Sequence, residues 1–226
     1  MRLYSSLMPR SKLKAHRTHA LPRPSVDMRV PQQRRSKLRA EAIVKVGRAL
    51  IAKHGILGLK MSQIAEQARI PIGSVYQYFP TKSALISCLF ARNLDTYHAL
   101  ARKAFAKVTG AQECAEAFRR VARQVYRDNR RDSLMREIWS GVQADRTIRQ
   151  LHLADNEFFS QLFFETIWRV GAQFPKEQLI RRCQIVNEMW DGTIRLAITL
   201  EANVGAKLIE ESLDLGLANL GLLERA

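Results

Sequence analysis

The chain has 226 residues, 46% of them hydrophobic, and carries 37 Lys and Arg against 21 Asp and Glu for a formal net charge of +16. That length and apolar content suffice for one or two domains with a sizeable core, and no run approaches the roughly 18 uncharged apolar residues of a membrane-spanning helix. Cys88, Cys114 and Cys183 stand far apart with no Cys-x-x-Cys spacing, which argues against a disulfide framework or a zinc site and fits a reducing cytoplasm. Each cysteine reads as a small buried apolar side chain, with a redox-sensing thiol as the alternative.

The charge is unevenly placed. Residues 1–80 hold 16 Lys and Arg against 3 acids, whereas residues 81–226 hold 21 against 18. A basic excess at one end is expected of a segment that displaces counterions from nucleic acid, although ribosomal, membrane-surface and import segments share it. Residues 1–35 contribute nine of the basic residues, four prolines and no sustained apolar period, and so read as a disordered basic extension. A start codon placed too far upstream, with Met28 near the true beginning, accounts for such a tail. A basic arm on DNA and an import peptide are the alternatives.

The first helix is expected from about Ser36 to His54, with Leu38, Ala42, Val46 and Leu50 on one stripe, Ile43 beside it, and Gly55 ending it. A second, short helix is expected from about Ser62 to Ala68, its Ile64, Ala65 and Ala68 sharing one side. The turn Arg69-Ile70-Pro71 breaks it, and a third helix starts at Pro71, whose missing N–H suits a first turn, and runs to Phe79. Val75 and Phe79, four apart, face the core. Ser74, Gln77 and Tyr78 then point elsewhere, and Tyr76 serves equally well to orient the helix or to touch a base. Gly73 and Ser74 are small enough for close backbone approach to a phosphate, and Tyr76, Gln77 and Tyr78 offer hydroxyl and amide groups to phosphates or base edges. Pro80 ends the element and Thr81 can cap the next.

At these residues the chain resembles the TetR/AcrR transcriptional regulators, in the helix-turn-helix MSQIAEQARIPIGSVYQYFPTKSALISCLF and in the preceding EAIVKVGRALIAKHG, roughly residues 36–90. The resemblance implies a recognition helix in the major groove. It places Gly73, Ser74, Tyr76, Gln77 and Tyr78 at the DNA, with Lys82 on a backbone phosphate, where a helix N-terminus and an ammonium group both attract anions, and Lys60, Ser62 and Ile72 are further candidate DNA contacts. Two positions depart from the family's pattern. Arg69 stands where Gly or Asn is common, at an expected strain of about 1 kcal/mol if φ is positive, and Lys60 stands where Ser or Thr caps a helix, a role Ser62 is expected to take over.

Beyond Thr81 a long helix carries Ile86, Phe90, Leu94, Tyr97, Ala101 and Phe105 at steps of three or four, and offers a lever between the DNA and the rest of the chain. The remainder reads as helices over about 111–128, 132–143, 149–172, 176–203 and 206–223, giving an all-α fold: a three-helix DNA-binding domain with helix-turn-helix at 36–81 and a helical effector-binding and dimerisation domain at 82–226. Its aromatic residues suit an apolar or planar effector, although filling a core uses them equally. Tyr126, Trp139, Gln143, Phe159, Phe163, Trp168, Asn187 and Trp190 are the candidate ligand contacts, with Asn156, Glu188 and Asp191 as further polar residues that would orient an effector if buried. In the last two helices the stripes Leu179-Cys183-Val186-Trp190-Thr193-Ala197-Leu200 and Leu208-Ile209-Leu213-Leu217-Leu220-Leu223 hold more apolar surface than one face needs, enough for a four-helix interface with a second copy. The resemblance implies the same dimer, which would meet a pseudo-palindromic operator.

No catalytic, metal or cofactor site is expected. The five histidines are scattered, and neither a His-Glu-x-x-His run nor a glycine-rich phosphate loop occurs. The expected function is a ligand-responsive repressor released by a small molecule. A non-specific DNA-coating protein is the alternative, and an all-α enzyme is the other class considered.

Overall fold

A computed structural model describes residues 34–141 and 145–223, and the basic extension and the question of its translation start lie outside them. The described residues form nine helices and no strands: α1 Arg34–Gly58, α2 Met61–Ala68, α3 Ile72–Tyr78, α4 Lys82–Phe105, α5 Ala111–Arg131, α6 Ser133–Gly141, α7 Arg146–Arg169, α8 Lys176–Ala197 and α9 Ala202–Asn219. The all-α expectation holds.

Two apolar cores organise these helices. The first gathers Ile43, Val44, Leu50 and Ile51 of α1, Ile64 of α2, Val75 of α3, Leu85 to Leu94 of α4, Leu134 and Ile138 of α6, and Ile148 and Leu151 of α7. The second gathers Ala101 and Phe105 of α4, most of the buried faces of α5, α8 and α9, and Phe163 to Ile167 of α7. α4 runs through both. All six residues of its expected stripe are buried, and Thr81 caps it by accepting from the Ala84 amide at 3.0 Å. Between the cores α4 carries two buried polar side chains. The Tyr97 hydroxyl donates to Asn129 Oδ1 at 3.1 Å, and His98 Nε2 lies 2.6 Å from Asp155 Oδ1. The seam between the cores is therefore polar.

Several boundaries and faces differ from expectation. The buried face of α1 is Ile43, Val44, Gly47, Leu50 and Ile51, while Leu38 is 62% exposed and Ala42 and Val46 are half-buried. Leu38 sits in the first turns of α1, away from the α2, α4 and α6 side chains that cover the rest. Gly55 does interrupt α1, at φ 70° and ψ 171°, a region essentially confined to glycine. One further turn to Gly58 follows, and the Ile56 amide donates to Glu137 Oε2 of α6 at 3.2 Å. α7 starts three residues earlier than expected because Asp145 caps it, accepting from the Thr147 and Ile148 amides at 2.8 and 3.1 Å. α8 stops at Ala197, leaving Leu200 outside the helix, and α9 begins at Ala202.

The last two helices pack tightly on each other. A Cβ on Gly216 would lie 2.7 Å from the Trp190 ring, so only glycine lets α9 approach that indole, whose Nε1 donates to the Ser212 carbonyl at 2.9 Å. Much of the expected surplus stripe is consumed inside the chain: Leu179, Cys183, Val186, Trp190, Ile209, Leu213, Leu217 and Leu220 are buried in the second core. The large apolar side chains left exposed on this pair are Ile185 and Leu196 of α8 and Val204 and Leu215 of α9. A clasp from α5 holds α9, with Arg123 donating from Nε and an Nη to the two Glu210 carboxylate oxygens, each at 2.7 Å.

Candidate nucleic-acid interface and internal cavity

The turn before α3 is a Schellman motif. The Arg69 amide bonds Glu66 O at 3.1 Å and the Ile70 amide bonds Ala65 O at 3.0 Å, with Ile70 packed on the first core. Arg69 takes the left-handed position at φ 54° and ψ 44°, and among the described residues it is the single non-glycine with positive φ. The expected strain is therefore present. Lys60 is the N-cap of α2 and no side chain caps that end, so Ser62, already the second residue of the helix, does not substitute. Pro71 is the N-cap of α3, one residue outside it, and the Ser74 and Val75 amides both bond its carbonyl, at 2.9 and 3.2 Å.

α3 is anchored from one side. Val75 and Phe79 are fully buried, whereas Ile72, Gly73, Tyr76 and Gln77 are exposed, as are Lys60 and Ser62, and Ser74 and Tyr78 are half-buried. A Cβ on Gly73 would meet no atom within 4 Å, so nothing inside the chain requires its smallness, although glycine in a helix costs about 1 kcal/mol relative to alanine. The Tyr78 hydroxyl is 2.9 Å from Ser36 Oγ, which ties α3 to the start of α1. Lys82 donates to the Ile56 carbonyl at 3.1 Å, and its ammonium group retains two further donors. Thus the α1 turn after Gly55 is gripped on both sides, its amide by Glu137 and its carbonyl by Lys82.

An internal cavity lies at the seam between the two cores. It has a volume of about 80 Å³ and is partly open to solvent. Of the residues expected to meet a ligand, Phe159, Phe163, Asn187 and Trp190 line it, and so does Asp191. Tyr126 does not: it is buried with its hydroxyl donating to the Ala202 carbonyl at 3.3 Å, as a strut between α5 and α9. Trp168 is 50% exposed, stacked on Phe164 away from the cavity. Gln143 and the Trp139 side chain lie outside the described residues. Asn93, Asn129, His152 and Asp155, none of them expected from the sequence, also line the cavity. Asn93 follows the apolar α4 stripe by three residues from Phe90, a polar interruption that was the available signal.

Sequence spacing also gave no hint that His152, Glu188 and Asp191 converge, their ligand-type atoms lying within 4.8 Å of one another. Arg195 already pairs with Asp191, while Asn156 bridges Glu188 and Asn187 by hydrogen bonds. Burial pushes the Tyr97 phenol up to about 12, and it pushes the Cys114 and Cys183 thiols up to about 12 and raises that of Cys88. All three cysteines are buried. Neutral, enclosed thiols fit the apolar role expected of them and not a reactive one.

Comparison with known proteins agrees with this geometry. Residues 43–88 match the family described as bacterial regulatory proteins, tetR family, and residues 112–220 match the tetracyclin repressor-like C-terminal domain. The HTH-type transcriptional repressor KstR of Rhodococcus jostii is 21% identical over 160 residues, covering 68% of this chain and 70% of that protein. Among solved structures, a TetR-family regulator from Streptomyces coelicolor has a TM-score of 0.60 at 22% identity, covering 84% of this chain and 99% of its own. Thermus thermophilus FadR, a TetR family repressor in complex with lauroyl-CoA, also reaches 0.60, at 17% identity over 83% of this chain and 96% of its own. With both halves matched and the helix-turn-helix in place, the chain belongs to the TetR family of transcriptional regulators.

Proposed function

We propose that the chain is a homodimeric repressor whose α3 reads an operator and whose release is triggered by a small molecule in the seam cavity. The observation that carries the reading is α3: Val75 and Phe79 hold it to the first core, and its other side presents Gly73, Tyr76 and Gln77 to solvent. In a major groove this leaves Gln77 and Tyr76 for base edges, with Gly73 and Ser74 beside the backbone. Tyr78, tied to Ser36, fixes the angle of α3 while its ring edge borders the groove. Lys60, Ser62 and Ile72 flank the contact, and Lys82 reaches a phosphate with its remaining donors.

Functionally, residues 36–81 read DNA and residues 82–226 bind effector and dimerise. The exposed Ile185, Leu196, Val204 and Leu215 of α8 and α9 are the surface for a second copy, and two α3 helices on a twofold axis then address a pseudo-palindromic site. Release is a population shift. α4 begins at Lys82, beside the α1 turn, and lines the cavity with Phe90, Asn93, Leu94 and Tyr97. An effector that prefers the DNA-incompetent arrangement a hundredfold, about 3 kcal/mol, lowers operator affinity accordingly. A DNA reader of this kind works in the cytoplasm. Among the described residues no helix is long and apolar enough to cross a membrane.

The test is to select genomic fragments with the purified protein and compare the best fragment with a scrambled version. A preference of at least a hundredfold supports an operator reader. Equal binding means a DNA-coating protein instead.

A further inference from the structure

Building on the effector reading above, we infer that the seam cavity takes an amine: an aromatic or apolar body bearing an ammonium group, with a hydrogen-bond acceptor along its length. The first ground is the charge of the walls. Asp155 and Asp191 both line the cavity, and among its described lining residues there is no lysine or arginine. Asp191 already pairs with Arg195, whereas Asp155 bonds the imidazole of His98 through Oδ1 at 2.6 Å, which leaves its second carboxylate oxygen for a ligand. Arg195 and His152 both lie against Asp191, so an anionic ligand brought beside Asp155 would be desolvated against that carboxylate with no unengaged lysine or arginine in the wall to receive it. An ammonium group gains a charge-assisted hydrogen bond.

The second ground is independent of charge. Asn129 is 0% exposed, and its Nδ2 has no hydrogen-bond partner although its Oδ1 accepts from Tyr97. On the α4 side the buried Asn93 Oδ1 is likewise unpaired. Orphaned buried polar atoms are uncommon and each costs about 1–3 kcal/mol, so a donor and an acceptor left open in one cavity describe the complementary groups of its occupant. Nδ2 asks for an ether or carbonyl oxygen, and Oδ1 asks for an N–H or O–H.

The third ground is the remaining surface. Phe118, Phe163 and Trp190 meet edge-to-face, with centroids 4.5 to 5.8 Å apart, and Phe159 joins them at 5.7 Å from Phe163. Rings so arranged accept a planar body, and their faces attract a cation. The cavity thus differs in kind from one that receives a coenzyme A thioester, whose phosphates demand basic residues.

Three probes on one scaffold decide the matter: 2-(1-naphthyloxy)ethylamine, 2-(1-naphthyloxy)ethanol and (1-naphthyloxy)acetate, titrated into the full chain and followed by tryptophan fluorescence and melting temperature. The amine is expected to bind at least tenfold more tightly than the alcohol, and the acid more weakly than both. Asp155→Asn, which keeps an oxygen for His98, is expected to reduce the amine's advantage over the alcohol to less than threefold. Asn129→Leu is expected to weaken all three probes together. Equal or tighter binding of the acid, no binding of the amine at 1 mM, or an amine preference that survives Asp155→Asn with melting unchanged overturns the inference. Operator occupancy measured in the same titration separates it from the reading on which it rests. Amine binding without DNA release sinks the release step and keeps the ligand class, whereas release by the acid alone does the reverse.

Discussion

α3 and the seam cavity are both built from polar groups set on an apolar support, but they leave those groups in opposite conditions. On α3 the side chains Tyr76 and Gln77 stand in water above a base of Val75 and Phe79, so they contribute little to the fold and are free to serve a surface that arrives from outside. In the seam, Tyr97, His98 and Asn129 are buried between two cores with Asp155 half-buried beside them, and there an unpaired atom such as Asn129 Nδ2 weakens the fold. A rigid outward reader suits a partner of fixed shape such as a duplex. An under-satisfied interior joint suits a switch, because its occupant changes the free energy of one arrangement of the cores and not the other.

That contrast can be broken most forcefully at the base of α3. Phe79→Ala is expected to lose about 3–5 kcal/mol in urea unfolding, because the side chain is 1% exposed and its cavity cannot collapse around fixed helices. A loss under 1 kcal/mol would mean that α3 is not held by its core side. Gly55→Ala should cost about 1–3 kcal/mol, since φ 70° with ψ 171° excludes a side chain and the new Cβ would stand 2.9 Å from Glu137 Oε2. Melting curves measure it, and an unchanged midpoint would show that the α1 turn is not fixed.

Arg69→Gly works in the other direction. Relief of the left-handed strain outweighs the added freedom of the unfolded chain, for an expected gain of about 0.5–1 kcal/mol in the same melting assay, and a loss would contradict the strain assigned to the turn. The smallest effect is acid sensitivity. Burial opposes ionisation of Asp145, yet hydrogen bonds from the Ser83 hydroxyl and the Ile148 and Thr147 amides outweigh it and hold its carboxyl below the usual range, while Arg123 does the same for Glu210. A carboxyl lowered on folding stabilises above its unfolded pKa and loses that contribution as pH falls through the folded value. The stability these two carboxyls contribute should therefore decline below about pH 4, and Asp145→Asn should make that decline shallower.

The sequence disclosed elements whose signals are local. The Pro71 break, the Thr81 cap and the three- and four-residue steps from Ile86 to Phe105 each depend on neighbours within a turn or two, and all three appear, with Pro71 capping α3 one residue outside it. The α1 stripe shifted from Leu38 to Val44 and Gly47 because burial there is decided by α2, α4 and α6, which reach only part of the helix. The leucines of α9 looked like a surplus for a partner because nothing in their spacing reveals that α5 and α8 cover them. The cavity was half legible: aromatic residues on α7 and α8 were the right chemistry, but Tyr126 and Trp168 faced elsewhere, and Asp155 and His152 met their partners only through the fold.

On the proposed function, the exposed side of α3 reads sequence and does not hold the molecule together. Gln77→Ala tests it in one preparation, by measuring melting temperature and the affinity ratio for the selected operator over scrambled DNA. Stability is expected to stay within about 0.5 kcal/mol of the parent and the ratio to fall by about 1–3 kcal/mol, roughly tenfold or more. A full ratio at unchanged stability, or a lost fold, would contradict it.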